Sequence, residues 1–202
     1  TTKLWNDDQR SGKVEEAIEA SLKRLGMDYV NLYLVHWPVK ETYVSVWKKM
    51  EAVYKSGKAK AIGVSNYQTH HLADLLEEAE IIPAVNQIEC YPYLSQAATI
   101  QYCLERNIRP EAWGPLGAGK SDILTNPVIT EIAKKRGLTP AQVVLGWNLE
   151  RGVIVIPKSI HKERLTENLK CTDFELTDED MTRISALNKN LRLGADPDHF
   201  NF

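Results

Sequence analysis

The sequence has 202 residues, within the range of a single domain, and its 43% hydrophobic and 26% charged residues are ordinary for a globular protein. The formal charge of −2 lacks the basic surplus of a nucleic-acid-binding protein, and the apolar runs are too short to cross a bilayer. We therefore expect no nucleic-acid and no membrane partner. The three cysteines lack metal-ligand spacing and indicate reduced thiols in a cytoplasmic protein.

Strand-like and helix-like segments alternate along the chain. Short apolar runs predict six strands, at 1–3, 29–35, 59–64, 84–88, 108–113 and 153–156. Helical periodicity and capping residues predict helices at about 12–25, 42–56, 68–79, 96–106, 127–136, 140–150, 162–169 and 178–187. We expect the remaining tail to be a coil on the surface.

This alternation favours an α/β fold with a parallel sheet. No GxGxxG follows the first strand, which counts against a doubly wound dinucleotide-binding fold and favours a (β/α)8 TIM barrel. Such a barrel has eight strands and about 250 residues, so we expect this chain to lack about the first two βα units. No linker or repeat is visible, and residues 1–202 are expected to form one partial barrel domain and a monomer.

Polar and aromatic residues stand at the ends of the predicted strands. In chain order they are Lys3; His36 and Trp37; Ser65 and Asn66; Gln87 and Glu89; Trp113; Lys158 and Ser159. The carboxyl ends of barrel strands meet at one mouth, where active sites are built. A histidine at such a position can equally be a core residue, and a group of lysines a solvated face, but six clusters at successive strand ends favour a functional site.

Three segments resemble the signatures of the aldo-keto reductase family. GKAKAIGVSNY at 57–67 resembles the central signature, the segment 156–168 beginning IPKSIHKER resembles the C-terminal one, and LVHWP at 34–38 resembles the strand with the catalytic histidine. The resemblance covers essentially the whole chain. It implies the (β/α)8 barrel and hydride transfer between a nicotinamide cofactor, usually NADPH, and a small carbonyl compound. The short loops and Trp113 resemble the bacterial branch that includes 2,5-diketo-gluconate reductases.

The family uses four catalytic residues, of which this sequence matches two: Lys3 is similar to the lysine and His36 to the histidine. The aspartate and the tyrosine belong to an earlier segment that the 202 residues do not contain. The tyrosine donates the proton, and a nearby ammonium makes its phenol, with a pKa of about 10, a better acid. Two hypotheses stay open: a reductase that is incomplete here, or a scaffold that holds NADPH as a sensor without turnover. A Schiff-base enzyme using Lys3 is opposed by the cofactor signatures.

The resemblance also implies the other site residues. The nicotinamide carboxamide would be held by Ser65, Asn66 and Gln87, and its ring would stack on Trp113. Leu116 and the loop Gly117–Gly119 would lie over the pyrophosphate, and Gly114 stands at a cofactor position where many members of the family carry serine, so that one hydrogen bond to the cofactor would be lost. The adenosine 2′-phosphate would be bound by Lys158, Ser159 and Arg164, and the adenine amine by Glu167 and Asn168. The substrate pocket would be walled by Trp5 and Trp37. We expect no metal site, with His70, His71, His161 and His199 on the surface.

Overall fold

A computed structural model describes all residues from Thr1 to Phe202. Its strands are β1 Thr2–Leu4, β2 Tyr33–Val35, β3 Ile62–Ser65, β4 Val85–Glu89, β5 Arg109–Trp113 and β6 Ile154–Val155. They follow one another in sequence order in a parallel sheet that does not close, because β1 and β6 are not neighbours. The predicted α/β class and the six parallel strands are confirmed.

Helices connect the strands, as predicted. They are α1 Asn6–Arg10, α2 Val14–Leu25, α3 Ser45–Lys55, α4 Thr69–Glu78, α5 Ala97–Glu105, α6 Pro127–Arg136, α7 Pro140–Glu150, α8 Lys162–Leu169 and α9 Asp178–Ser185. The bounds of α6, α7 and α8 are those expected from the sequence. Helix α1 was not predicted, because five residues are too few to show a helical period.

Capping side chains define several helix ends. Thr139 and Gln142 form a reciprocal capping box at the start of α7, with Pro140 at the first helical position. Thr177 and Asp180 do the same for α9. Both starts were predicted from the sequence, and both satisfy backbone N–H groups that a helix leaves without partners.

The chain forms two compact units, which we describe separately. The first comprises Thr1–Gln87, Gln101–Arg109 and Asp196–Phe202, and the second Ile88–Ile100 and Pro110–Ala195. In the first unit, alternate residues of β1, β2 and β3 pack with α2 and α3 in one apolar core. In the second unit, residues of α6 and α7 form a core around the fully buried Trp147.

The strand β5 forms even though Arg109, Pro110 and Glu111 interrupt its apolar pattern. A proline within a strand is costly in general, since it removes a ladder donor. The Arg109 N–H nonetheless donates to the carbonyl of Ala84 at 3.0 Å. No helix in the structure combines the length and the apolar character needed to cross a membrane.

Candidate active site

Lys3 and His36 lie close together at the first two strands. Lys3 pairs with Leu34 in the register of β1 and β2. His36 follows directly after β2, and its backbone N–H donates to the Leu4 carbonyl at 3.2 Å. Burial, and secondarily the Lys3 ammonium, lower the pKa of His36 from 6.5 to about 4. His36 is therefore a neutral imidazole at physiological pH.

Ser65, Asn66 and Gln87 form one buried network at the ends of β3 and β4, with exposed fractions of 0%, 5% and 3%. The Ser65 hydroxyl donates to the Gln87 carbonyl at 2.9 Å. The Asn66 amide donates to Ser65 Oγ at 3.1 Å and to the His36 carbonyl at 3.0 Å. Asn66 has a φ of +63°, a conformation that is costly for most residues and is frequent at functional sites. The structure thus brings three of the predicted residues together with His36.

An aromatic cluster surrounds His36, and part of it was not predicted. The Trp5 ring meets the imidazole edge-on, with 5.0 Å between centroids, and Trp37 is 6.5 Å away. Phe200 and Phe202 from the tail pack on Trp37 at 5.1 and 5.3 Å. The tail is a coil, as expected, but the only sequence signal for its docking was two phenylalanines two residues apart.

In the second unit, a cavity of about 370 Å³ lies beside Trp113; we call it the Trp113 cavity. Its lining includes three further predicted cofactor residues, Gly114, Leu116 and Lys158. The loop after β5 turns with a φ of +61° at Gly114, which glycine adopts without steric cost. A serine at this position would be strained in this conformation.

A second cavity of about 330 Å³, the Arg164 cavity, lies in the same unit. Six predicted residues line it: Leu116, Lys158, Ser159, Arg164, Glu167 and Asn168. Thr139, which the sequence indicated only as a helix cap, also lines it and donates its hydroxyl to the Glu167 carboxylate at 2.6 Å. Because Leu116 and Lys158 line both cavities, the two cavities adjoin. Two cations and a hydroxyl in one hollow can bind a phosphate group.

One histidine after β3, His71, differs from the prediction. His71 is buried, with 7% exposed, whereas His70 and the more distant His161 and His199 lie on the surface as expected. Nδ1 of His71 accepts the backbone N–H of Gln68 at 3.2 Å, and Nε2 of His71 lies 3.3 Å from the Asp198 carboxylate. The sequence did carry a signal, since His71 stands four residues before the core residue Leu75 on the same helix face.

His70, His71 and Asp198 could in principle bind a metal ion, because their ligand atoms lie within 4.8 Å of one another. A ligating imidazole nitrogen must carry no proton. With Nδ1 of His71 accepting the Gln68 N–H, the proton of the neutral ring is on Nε2, which lies 3.3 Å from the Asp198 carboxylate, and the Gln68 side-chain amide donates to the same carboxylate. The cluster is thus arranged as a hydrogen-bonded network, and the absence of a metal site remains a prediction.

Comparison with known proteins identifies relatives along the whole chain. Residues 1–189 match the model of the aldo/keto reductase family. The chain is 50% identical over 202 residues to a glyoxal reductase of Bacillus subtilis, covering 100% of this chain and 72% of the relative. It is 45% identical to the methylglyoxal reductase DkgA of Salmonella typhimurium, covering 99% and 73%.

Solved structures agree with this comparison. The aldo-keto reductase MGS-M4 from a deep-sea metagenome library superimposes with a TM-score of 0.95 at 42% identity, covering 100% of this chain and 75% of that chain. An aldo-keto reductase of the silkworm Bombyx mori, complexed with NADPH, has a TM-score of 0.89 at 38% identity, covering 95% and 64%. The strand–helix repeats described above are those of the (β/α)8 barrel. The chain belongs to the aldo/keto reductase family.

Proposed function

We propose that the protein is an NADPH-dependent oxidoreductase that reduces the aldehyde or ketone group of small carbonyl compounds to an alcohol. The observation that carries the proposal is the Arg164 cavity, where six residues assigned to the cofactor from the sequence line one hollow. Sequence relatives named as reductases of glyoxal and methylglyoxal support the carbonyl chemistry.

We assign the adenosine end of the cofactor to the Arg164 cavity. Lys158 and Arg164 are exposed cations, and Ser159 adds a hydroxyl beside them. A guanidinium and an ammonium bind a phosphate dianion through charge-assisted hydrogen bonds. This favours NADPH over NADH, which lacks the 2′-phosphate. The buried Asn168 and the neighbouring Glu167 would hold the adenine amine.

We assign the nicotinamide to Trp113 for stacking, and to Ser65, Asn66 and Gln87 for its carboxamide. The bound cofactor supplies the hydride. An aromatic face suits a flat ring, and a rigid hydrogen-bonded network suits a group that must present one face to the substrate. The strained backbone of Asn66 fits such a role, because strain of this kind is retained where geometry must be fixed.

Lys3 and His36 are assigned to the carbonyl oxygen. With its pKa at about 4, His36 is neutral at physiological pH. A neutral imidazole can still donate a hydrogen bond from its ring N–H and so orient the carbonyl. Lys3 would lower the pKa of a phenol proton donor. The tyrosine and aspartate of the family pattern have no counterpart within the 202 residues.

We propose small dicarbonyl compounds as substrates, taken up against Trp5 and Trp37, as expected for the 2,5-diketo-gluconate-reductase-like branch. The relatives named for glyoxal and methylglyoxal support this choice. A cytoplasmic monomer is the form in which we expect the protein to act.

The test is a titration with NADPH and NADH, followed by measurement of NADPH consumption with glyoxal and methylglyoxal. We expect micromolar NADPH binding and weaker NADH binding. In a form of the protein that also carries the tyrosine and aspartate of the family pattern, we expect dicarbonyl-dependent oxidation that falls in His36→Gln but not in the exposed control His161→Gln. Failure to bind NADPH at micromolar concentration would reject the proposal. Tight binding without consumption would replace it with the non-catalytic scaffold.

A further inference from the structure

Glu89, the last residue of β4, is a buried carboxylate with two backbone partners distant in sequence. It is 2% exposed, its Oε1 accepts the Leu193 N–H at 2.7 Å, and its Oε2 accepts the Gly194 N–H at 3.1 Å. Hydrogen bonds to an ionised carboxylate are about twice as strong as neutral ones. Glu89 therefore fixes the backbone of the tail at these two residues.

Gly194 packs directly on the indole of Trp113. A Cβ added to Gly194 would lie 2.6 Å from Cη2 and 3.2 Å from Cζ2 of the ring, and 3.3 Å from Glu89 Oε2. A contact of 2.6 Å is far inside the usual carbon–carbon separation of about 3.5–4.0 Å. The backbone of Gly194 thus occupies the space next to the outer edge of the indole.

We infer that Glu89 is a positioning residue for the cofactor: by fixing Leu193 and Gly194 it seats the Trp113 ring in the orientation that receives the nicotinamide. The inference rests on the proposed function, because it takes Trp113 as the stacking ring. Leu193 adds support, since its side chain packs against the core of the second unit. The indole lines the Trp113 cavity and is held at its outer edge by Gly194.

Two substitutions disturb this arrangement in different ways. Gly194→Ala introduces a methyl group that the ring must move to accommodate, since the contacted atoms are the far end of a side chain. Glu89→Gln replaces one acceptor oxygen with an amide nitrogen that faces a backbone N–H. Both leave the residues of the Arg164 cavity untouched.

The experiment compares two ligands in the full chain. NADPH contains the nicotinamide, whereas adenosine 2′,5′-bisphosphate contains only the part assigned to the Arg164 cavity. We expect each variant to weaken NADPH binding by about fivefold, which is the effect of losing one aromatic stacking contact. The affinity for the bisphosphate should stay within about twofold of that of the unsubstituted protein. The matched control is Glu175→Gln, which makes the same chemical change at an exposed position.

The outcomes are distinguishable. Equal loss for both ligands, or no loss for either, would overturn the role of Glu89 while leaving the proposed function intact. If neither ligand binds the unsubstituted protein, the proposed function itself fails. Thermal unfolding monitors the fold, and if Gly194→Ala does not fold, Glu89→Gln carries the same comparison. A change in the near-ultraviolet circular dichroism of tryptophan in Glu89→Gln would support a moved ring.

Discussion

The polar groups at the ends of β3 and β4 and those of the Arg164 cavity are built in opposite ways. Ser65, Asn66 and Gln87 are almost fully buried and hydrogen-bonded to one another. Lys158 and Arg164 are exposed, and no ion pair holds either of them. The buried network is rigid before any ligand arrives, whereas the exposed cations keep their rotamer freedom and must lose it on binding.

This difference assigns different tasks to the two regions. A buried network is suited to orientation, because moving one member disturbs all of them. Exposed cations are suited to affinity and to selection of the 2′-phosphate, and their contribution is screened by salt. Substitutions in the network should therefore alter stability and nicotinamide placement together, and substitutions in the cavity should alter cofactor affinity alone.

The largest expected effect is that of Asn66→Ala. It removes the hydrogen bonds to Ser65 and to the His36 carbonyl, and alanine tolerates the left-handed region less well than asparagine does, so we expect the free energy of unfolding to fall by about 2–4 kcal/mol. Asn66→Gly should lose only the hydrogen bonds, about 1–2 kcal/mol. Chemical denaturation measures both, with Asn107→Ala, at an exposed residue with a φ of +59°, as the control for strain alone. Equal losses for the two Asn66 variants would show that its backbone is not strained.

Arg164→Ala should reduce NADPH affinity by about tenfold to hundredfold, since a hydrogen bond to a charged group contributes about 1.5–3 kcal/mol. Stability and NADH affinity should hardly change, because the side chain is exposed. Isothermal titration with both cofactors provides the measurement, and Lys170→Ala, an exposed lysine just after α8, is the control. A parallel loss of NADH affinity would contradict the assignment of the 2′-phosphate to the Arg164 cavity.

The pH dependence of stability should reveal the buried histidines. Burial lowers the pKa of His71 from 6.5 to about 4, with the neighbouring His70 as a secondary cause, and His36 is lowered to a similar value. Between these pH values the unfolded chain binds more protons than the folded chain, so the free energy of unfolding falls as the pH drops from 6.5 towards 4. Above 6.5 these groups contribute no slope.

His71→Gln should make this slope shallower, while the exposed control His161→Gln should leave it unchanged. Denaturation midpoints at a series of pH values provide the data. A slope unchanged by His71→Gln would mean that the imidazole is not desolvated in the folded protein.

The smallest expected effect is that of Asp198→Asn in the tail. Its carboxylate accepts the Gln68 side-chain amide at 2.7 Å and lies near His70 and His71, but its side chain is 35% exposed. We expect a loss of about 0.5–1 kcal/mol and a change in tryptophan fluorescence as Phe200 loosens from Trp37. The exposed Asp28→Asn is the control. Fluorescence identical to that of the unsubstituted protein would indicate that the rings alone dock the tail.

The two regions also differ in how far the sequence predicts them. The grouping of polar residues at the ends of β3 and β4 is predicted by a general rule. Apolar runs locate the strands, and the carboxyl ends of neighbouring parallel strands lie together. The Arg164 cavity was assigned through the resemblance of segment 156–168, because the orientation of α8 depends on tertiary packing that no local pattern contains. Contacts such as Glu89 with Gly194, separated by 105 residues, leave no periodic signal at all.

The central proposal is that NADPH binds with its 2′-phosphate in the Arg164 cavity. Hydrogen–deuterium exchange of the full chain with and without NADPH tests it most directly. We predict slower exchange in the loop Gly114–Lys120 and in α8, together with a change at residues 65–67. Exchange that slows only elsewhere, for example around His70 and Asp198, would contradict the account.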